Sequence, residues 1–266
     1  MMRNNMQQQR SIGIRVGRVG FLHCDPFYFD MERRGLSLHE MAHGNLAAAL
    51  EGGEIDAGPL PLVECFRLES ALQPVAGFCV ATVDQGNIAL LYANKPIQEL
   101  ADARIGMASP SPTSQKLLQV LLAQRYGVKP GPFVTLREPF DACLLVGNDA
   151  LRRRRSLRGY PHRYDLGGEW RQWTSLPFVY ARWMARKDME YQPMAILQDT
   201  LYVGLEDGVD ALYHIAEPRD DLLMLPKDVA AYIQGIRYFI GVSEQRAIDQ
   251  FRQCAAQYDQ DHATLL

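Results

Sequence analysis

The sequence predicts an α/β protein of two lobes, with a small-molecule cleft between them. Strand and helix signals alternate from near the start, the alternation restarts after Asn94, and the last third reads as helices. A βα pattern that restarts inside a chain closing on helices implies an inserted second lobe, reached through two crossover segments. The expected limits are residues 11–94 with 181–266 for the first lobe and 95–180 for the second.

Each element has a local reason. Ile12–Phe21 alternates like a strand, and Asp25–Gly35 follows with an N-cap aspartate, a proline at the first helical position and a closing glycine. Leu36–His43 is a second strand. Gly44–Gly53 is a short helix capped by Asn45 and stopped by Gly52 and Gly53. Glu54–Glu64 (EIDAGPLPLVE) is a strand running into a helix. This order predicts a mostly parallel sheet with ligands at the carboxyl ends of its strands. Val75–Asp84 and Asn87–Asn94 are apolar enough for buried central strands. In the second lobe, Arg104–Ala108, Phe133–Arg137 and Phe140–Gly147 read as strands. Ser111–Gly127 reads as a helix with Leu117, Leu118, Leu121 and Leu122 on one face. From Pro193 to Tyr258 the tail reads as helices, including Val229–Gly241 and Ser243–Tyr258, packed back on the first lobe.

Composition narrows the function classes. Apolar residues make up 47% and charged residues 22%, an ordinary globular balance that leaves no room for disorder or fibrous repeats. A net charge of −3 gives no general attraction to nucleic acid; the Arg152–Arg155 run, with Arg158, is the one local candidate and reads as a solvated loop or helix end. The first residues are polar and basic, without the apolar core of a secretory signal, so a cytoplasmic location is expected. No apolar stretch reaches the ~18 residues of a membrane span. Cys24, Cys65, Cys79, Cys143 and Cys254 are scattered and odd in number, which fits free thiols better than disulfides or a zinc site.

Two segments carry chemistry. Ser109, Ser111, Thr113 and Ser114 crowd the start of a long helix, where unpaired N–H groups favour a carboxylate or phosphate; plain N-capping by Ser111 or Thr113 is the alternative. His23-Cys24-Asp25 ends the first strand and so faces the same cleft. His23 can serve as general base, general acid or metal ligand, and Cys24 as a nucleophile if a positive neighbour lowers its pKa. Asp25 reads as a helix cap. Pro59–Pro61, at another strand's carboxyl end, is placed for backbone contacts. Trp170, Trp173 and Trp183, with Tyr164 and Tyr180, read mostly as core, with one or two available as a wall for a ring. There is no GxGxxG, Walker A or GxSxG motif, and no HExxH.

The helix–glycine–EIDA unit recurs in type 2 solute-binding folds, and longer motifs add a family. Asp141–Arg152 (DACLLVGNDALR) and Tyr164–Asp188 (YDLGGEWRQWTSLPFVYARWMARKD) resemble the menaquinone-biosynthesis enzymes of the futalosine route, most closely chorismate dehydratase. The resemblance extends over nearly the whole chain. It implies a periplasmic-binding-protein-like fold and removal of water from chorismate to give 3-[(1-carboxyvinyl)oxy]benzoate, with no metal or organic cofactor. By that resemblance Ser111, Thr113 and Ser114 match the hydroxyl-rich anion loop, and Asn148 and Asp149 match a polar turn after a second-lobe strand.

Three positions depart from the family pattern. His23 stands where the family has an asparagine implied in catalysis, Ile88 where a serine is expected, and Pro112 where an arginine is common. Three functions follow as expectations. The first is a lyase acting on chorismate or a close cyclic carboxylate, with His23 as acid/base group. The second is a diverged member with other chemistry on another small acid. The third is a small-carboxylate binder or sensor without turnover.

Overall fold

Two mixed sheets, joined by two crossings of the chain, make up the computed structural model, which describes residues 13–213 and 219–263. The N-terminal segment 1–12, on which the expected location rested, lies outside the described residues, as do 264–266. No helix among the described residues is long and apolar enough to cross a membrane.

The first sheet contains β1 (Arg15–Arg18), β2 (Ser37–Glu40), β3 (Ala57–Pro61), β4 (Leu72–Thr82), β10 (Phe178–Arg186) and β11 (Ile236–Phe239), in the order β11-β4-β10-β3-β1-β2. The second contains β5 (Ala89–Ala93), β6 (Ile105–Met107), β7 (Phe133–Thr135), β8 (Ala142–Val146) and β9 (His162–Asp165), in the order β7-β6-β8-β5-β9. This is the two-lobed α/β architecture expected. The sheets are not mostly parallel, however. β1 is parallel to β2 and β3, and β6 to β7 and β8, while β10 inserts antiparallel between β3 and β4 as the chain returns from the second lobe. Sheet membership also differs from the expected limits of 95–180 at both ends. Ala89–Ala93 pairs with β8 and β9, and Phe178 already pairs with Thr82 of the first sheet. Runs of buried apolar residues mark central strands without saying which sheet they join.

Around the sheets lie α1 (Asp25–Tyr28), α2 (Leu46–Glu51), α3 (Leu62–Arg67), α4 (Pro112–Val120), α5 (Asn148–Arg152), α6 (Leu166–Thr174), α7 (Tyr191–Tyr213), α8 (Pro226–Gln234) and α9 (Val242–Ala263). Leu117, Leu118, Leu121 and Leu122 are fully buried, as their spacing predicts, although the helix loosens to a π turn over Leu121–Arg125. Some local expectations shift. The first strand stops at Arg18, and His23 lies in a 3-10 turn, Leu22–Cys24. Cys24 occupies the N-cap position expected of Asp25, whose carboxylate instead lies 3.4 Å from the Arg219 guanidinium. Asn45 holds the N-cap of α2 without a side-chain hydrogen bond. Ile236–Phe239, expected within a helix, is an edge strand with Ile236 and Tyr238 inward.

The long motif at Tyr164–Asp188 is the second crossing. Buried Asp165 caps α6 by accepting the Gly168 N–H at 3.1 Å, and it also accepts the Asn87 N–H of the first crossing at 2.7 Å. A Cβ at Gly167 would sit 2.7 Å from Thr82 Oγ1 and 2.8 Å from the Tyr180 hydroxyl, so a glycine is needed for α6 to meet the first lobe. Glu169 pairs with Arg125 at 2.9 Å, and buried Trp170 donates to the Pro177 carbonyl at 3.0 Å. Trp170 and Phe178 both meet Phe251 of α9 edge-on. Helix α9 also ties to the second lobe, where Gln124 donates to the Cys254 carbonyl and Lys116 pairs with Asp259. One apolar core runs through both lobes at this hinge.

Candidate functional site

The carboxyl ends of β1, β3, β6 and β8 face each other across the cleft, which holds two chambers. The inner one has a volume of only ≈ 30 Å³ and is lined by His23, Cys24, Pro59, Ile88, Ser111, Thr113, Ser114 and Tyr180, among others. The outer one measures ≈ 430 Å³ and includes Asn45, Ser109, Asn148, Asp149 and Arg152 in its lining. Phe21 and His43, with ring centroids 5.3 Å apart, line both chambers, as do Val19, Ser111 and Val146.

The structure brings most of the sequence-derived candidates together but gives them different tasks. Ser111 is the N-cap of α4, yet its hydroxyl makes no capping bond; its N–H donates to Gln115 Oε1 at 3.0 Å instead. Among the described residues the Ser111 and Ser114 hydroxyls have no partner, although both side chains are buried. They are left to face the chamber as donors. Thr113, in the same lining, accepts the Val63 N–H of α3 at 3.2 Å across the lobes and keeps its own O–H as a donor. Ser109 is exposed and belongs to the outer chamber. Pro112 sits in the first turn of α4 and supplies no donor.

Asn148 is a clamp between lobes. Its Oδ1 accepts the Leu22 N–H at 3.1 Å and its Nδ2 donates to the Gly20 carbonyl at 2.7 Å. Beside it, Gly147 has φ +60, and a Cβ there would meet the Phe21 ring at 2.5 Å. Asp149 pairs with Arg152 at 2.7 Å on the rim. The arginine run is therefore not simply solvated. Arg152 Nε donates to the Asp221 carbonyl at 2.8 Å, while Arg154 reaches the Leu222 and Leu223 carbonyls and Asp228 of the first lobe. Two arginines of the second lobe thus bind the first lobe at the segment leading into α8 and at its first turn.

His23 is 4% exposed, and its Nδ1 lies 2.8 Å from the Tyr232 hydroxyl. Burial, helped by nearby His43, pushes its pKa down to about 3, so the imidazole is neutral at neutral pH. His43 is lowered to about 4 by burial, and among the described residues its ring makes no hydrogen bond. Cys24 does not meet the requirements of a nucleophile. It is buried, and both burial and the Asp25 carboxylate raise its pKa, whereas a reactive thiolate needs a positive, accessible setting. Ile88 presents an apolar wall at the inner chamber. Tyr180 is the one aromatic of the anticipated cluster that lines it, while Trp170 and Trp183 are core. Sequence reasoning missed His43, Phe21 and Tyr232. Phe21 and Tyr232 stand in segments similar to the family but carried no expected role, and only the fold brings all three to His23. Among the described residues no group of three or more His, Cys, Asp or Glu could hold a metal ion.

Residues 14–257 match the model of a family described as menaquinone biosynthesis. The chain belongs to that family. Among its relatives, the chorismate dehydratase of Thermus thermophilus is 23% identical over 256 residues, covering 89% of this chain and 93% of the relative. Among solved structures, protein AF1704 from Archaeoglobus fulgidus aligns with a TM-score of 0.70 at 14% identity, over 92% of this chain and 97% of that one. The periplasmic aliphatic sulphonate binding protein of Escherichia coli aligns at 0.58 and 13% identity, over 94% and 87%. The fold of this family member is therefore that of the periplasmic binding proteins, as the resemblance implied, and the family together with its distant relative points to a dehydratase-like role in menaquinone biosynthesis.

Proposed function

We propose that this protein is a carbon–oxygen lyase of the chorismate dehydratase type, removing water from chorismate or a close cyclic carboxylate to give 3-[(1-carboxyvinyl)oxy]benzoate from the former. The observation that carries the reading is a buried, neutral His23 facing the unpartnered Ser111 and Ser114 hydroxyls in a family cleft. In the reaction a ring C–H and the neighbouring C–OH bond break, the C–H electron pair becomes the new ring double bond, and proton and hydroxide leave together as water. Aromatisation drives the elimination. The protein has to hold two carboxylates, exclude bulk water and handle the departing hydroxyl.

Ser111 and Ser114 supply donors to a carboxylate, and His23 is the acid/base group at the hydroxyl. A ring of this kind does not fit the inner chamber, since small-molecule sites run to about 300–1,000 Å³. The outer chamber has that room. In this reading the ring lies there, Arg152 meets the outer carboxylate, and the reacting edge reaches His23 when Phe21 and His43 swing aside.

Purified protein mixed with chorismate should consume it, with loss of the diene absorbance and appearance of an aromatic product by chromatography and mass spectrometry. An unchanged mixture over many enzyme equivalents would sink the reading. His23→Ala should lower turnover by about 10²–10⁴-fold. His23→Asn, which returns the side chain that the family pattern has here, should retain far more activity.

A second reading is supported by Ile88 and Pro112, which remove polar groups from the cleft: a binder or sensor of small carboxylates without turnover. A carboxylate that raises Tm and is recovered unchanged would favour it.

A further inference from the structure

We propose that Tyr232 is a positioning residue acting through His23: its phenol donates to Nδ1 and holds the imidazole proton on Nε2, so that His23 offers the chamber an N–H donor. The hydrogen bond can be drawn in two ways, because neither hydrogen is seen in the heavy-atom geometry. If Nδ1–H donated to the phenol oxygen, the phenol's own hydrogen would lack an acceptor, since among the described residues Tyr232 has no other hydrogen-bond partner. A buried hydroxyl left in that state is costly. With the phenol donating, Nδ1 is satisfied and the remaining hydrogen, on Nε2, is turned away from Tyr232.

Burial keeps both partners neutral. The Tyr232 phenol is pushed well above its ordinary range, and the His23 imidazole is held low. The pair is also fixed in place. Helix α8, which carries Tyr232, packs on the turn that carries His23, so both belong to one lobe and the bond survives any parting of the two. The Phe21 ring packs against the imidazole, with centroids 5.3 Å apart and planes tilted by 40°. A ring nitrogen's tautomer is set by the bond its partner nitrogen makes.

The tautomer does not depend on which ligand binds. Its catalytic meaning rests on the dehydratase reading, in which an uncharged Nε2–H would hold the departing hydroxyl or a carboxylate oxygen.

The test uses full-length protein labelled with 15N-histidine, with the His23 signals assigned by their loss in His23→Asn. At pH 7 wild-type His23 should show an unprotonated, pyridine-type Nδ1 and a protonated, pyrrole-type Nε2. His262, whose Nδ1 lies 2.8 Å from the Tyr258 carbonyl, is the internal reference for a protonated Nδ1. Tyr232→Phe keeps the ring and removes the donor, and the His23 pattern should move towards the opposite tautomer. A protonated Nδ1 in the wild type overturns the proposal, as does an unchanged pattern in Tyr232→Phe; the wild-type spectrum decides even if the variant fails to fold. Where chorismate is turned over, Tyr232→Phe should lower kcat about tenfold or more with little change in KM. Absence of turnover counts against the dehydratase reading and leaves the spectrum to judge the tautomer.

Discussion

The inner and outer chambers meet at Phe21 and His43, yet their walls are made differently. The inner wall is buried Ile88, Pro59 and Tyr180, with the Ser111, Thr113 and Ser114 hydroxyls and a neutral His23 as its polar groups. The outer wall carries the Asp149–Arg152 ion pair and the exposed Ser109. A charge in the inner chamber would meet almost no solvent and would depend on donors already in place. On the rim, water and salt screen whatever Arg152 does. In the proposed dehydratase reading, selection by shape and hydrogen bonding would fall to the inner chamber and collection of anions to the outer one.

The most damaging way to break this division is at Phe21, which lines both chambers. Gly147→Ala places a side chain at φ +60 and drives its Cβ into Phe21. It should cost about 2–4 kcal/mol, read from the urea midpoint. Phe21→Ala in the same chain should recover the share due to the clash and leave the backbone strain. If the double variant is no better than the sum of the two singles, Phe21 does not press on Gly147.

Acid should weaken the inner chamber next. His23, and to a lesser degree His43, bind protons in the unfolded chain below about pH 6.5 but not in the folded protein until about 3 and about 4. The unfolded state then holds more protons, so their stabilisation is complete above about pH 6.5 and is lost as pH falls through that window. A loss of a few kcal/mol is the right order. Asp25 and Asp165, raised by burial, act in the opposite sense through the carboxylate range. His23→Asn should flatten the acid limb of a stability–pH curve; an unchanged limb would show that His23 is not buried neutral.

The smallest effects lie at the two arginines that bind the first lobe. Arg154, largely buried and bonded to two carbonyls and Asp228, should cost about 1–2 kcal/mol as alanine. Arg152, more exposed, should cost under about 1 kcal/mol. Its replacement should instead weaken anion binding in a salt-dependent way, measured by titrating an aromatic dicarboxylate at low and high ionic strength.

The motif that first suggested the family proves to be hinge architecture. Asp165 ties the two crossings, Gly167 allows α6 to approach the first lobe, and Trp170 fills the core behind them. Such a segment speaks for the fold and says little about the substrate. The three positions that depart from the family pattern lie elsewhere: His23 and Ile88 line the inner chamber, and Pro112 opens α4.

The α/β alternation, the restart into a second lobe, the helix at Ser111 and the cleft at the strand ends were all legible in the chain. Each depends on hydrophobic period, glycine stops or proline placement within a dozen residues. Strand pairing was not legible: β10 enters between β3 and β4, and Ile236–Phe239 becomes an edge, because sheet order joins residues more than a hundred positions apart. The roles of individual site residues were hidden for the same reason. Asn148, which lines the outer chamber, also bonds Gly20 and Leu22 across the lobes, and Thr113, which lines the inner one, accepts the Val63 N–H. By itself the sequence determined that a histidine would stand at the cleft. Only tertiary structure decided what that histidine is, because the phenol that bonds it comes from residue 232 and the burial that keeps it neutral comes from both lobes.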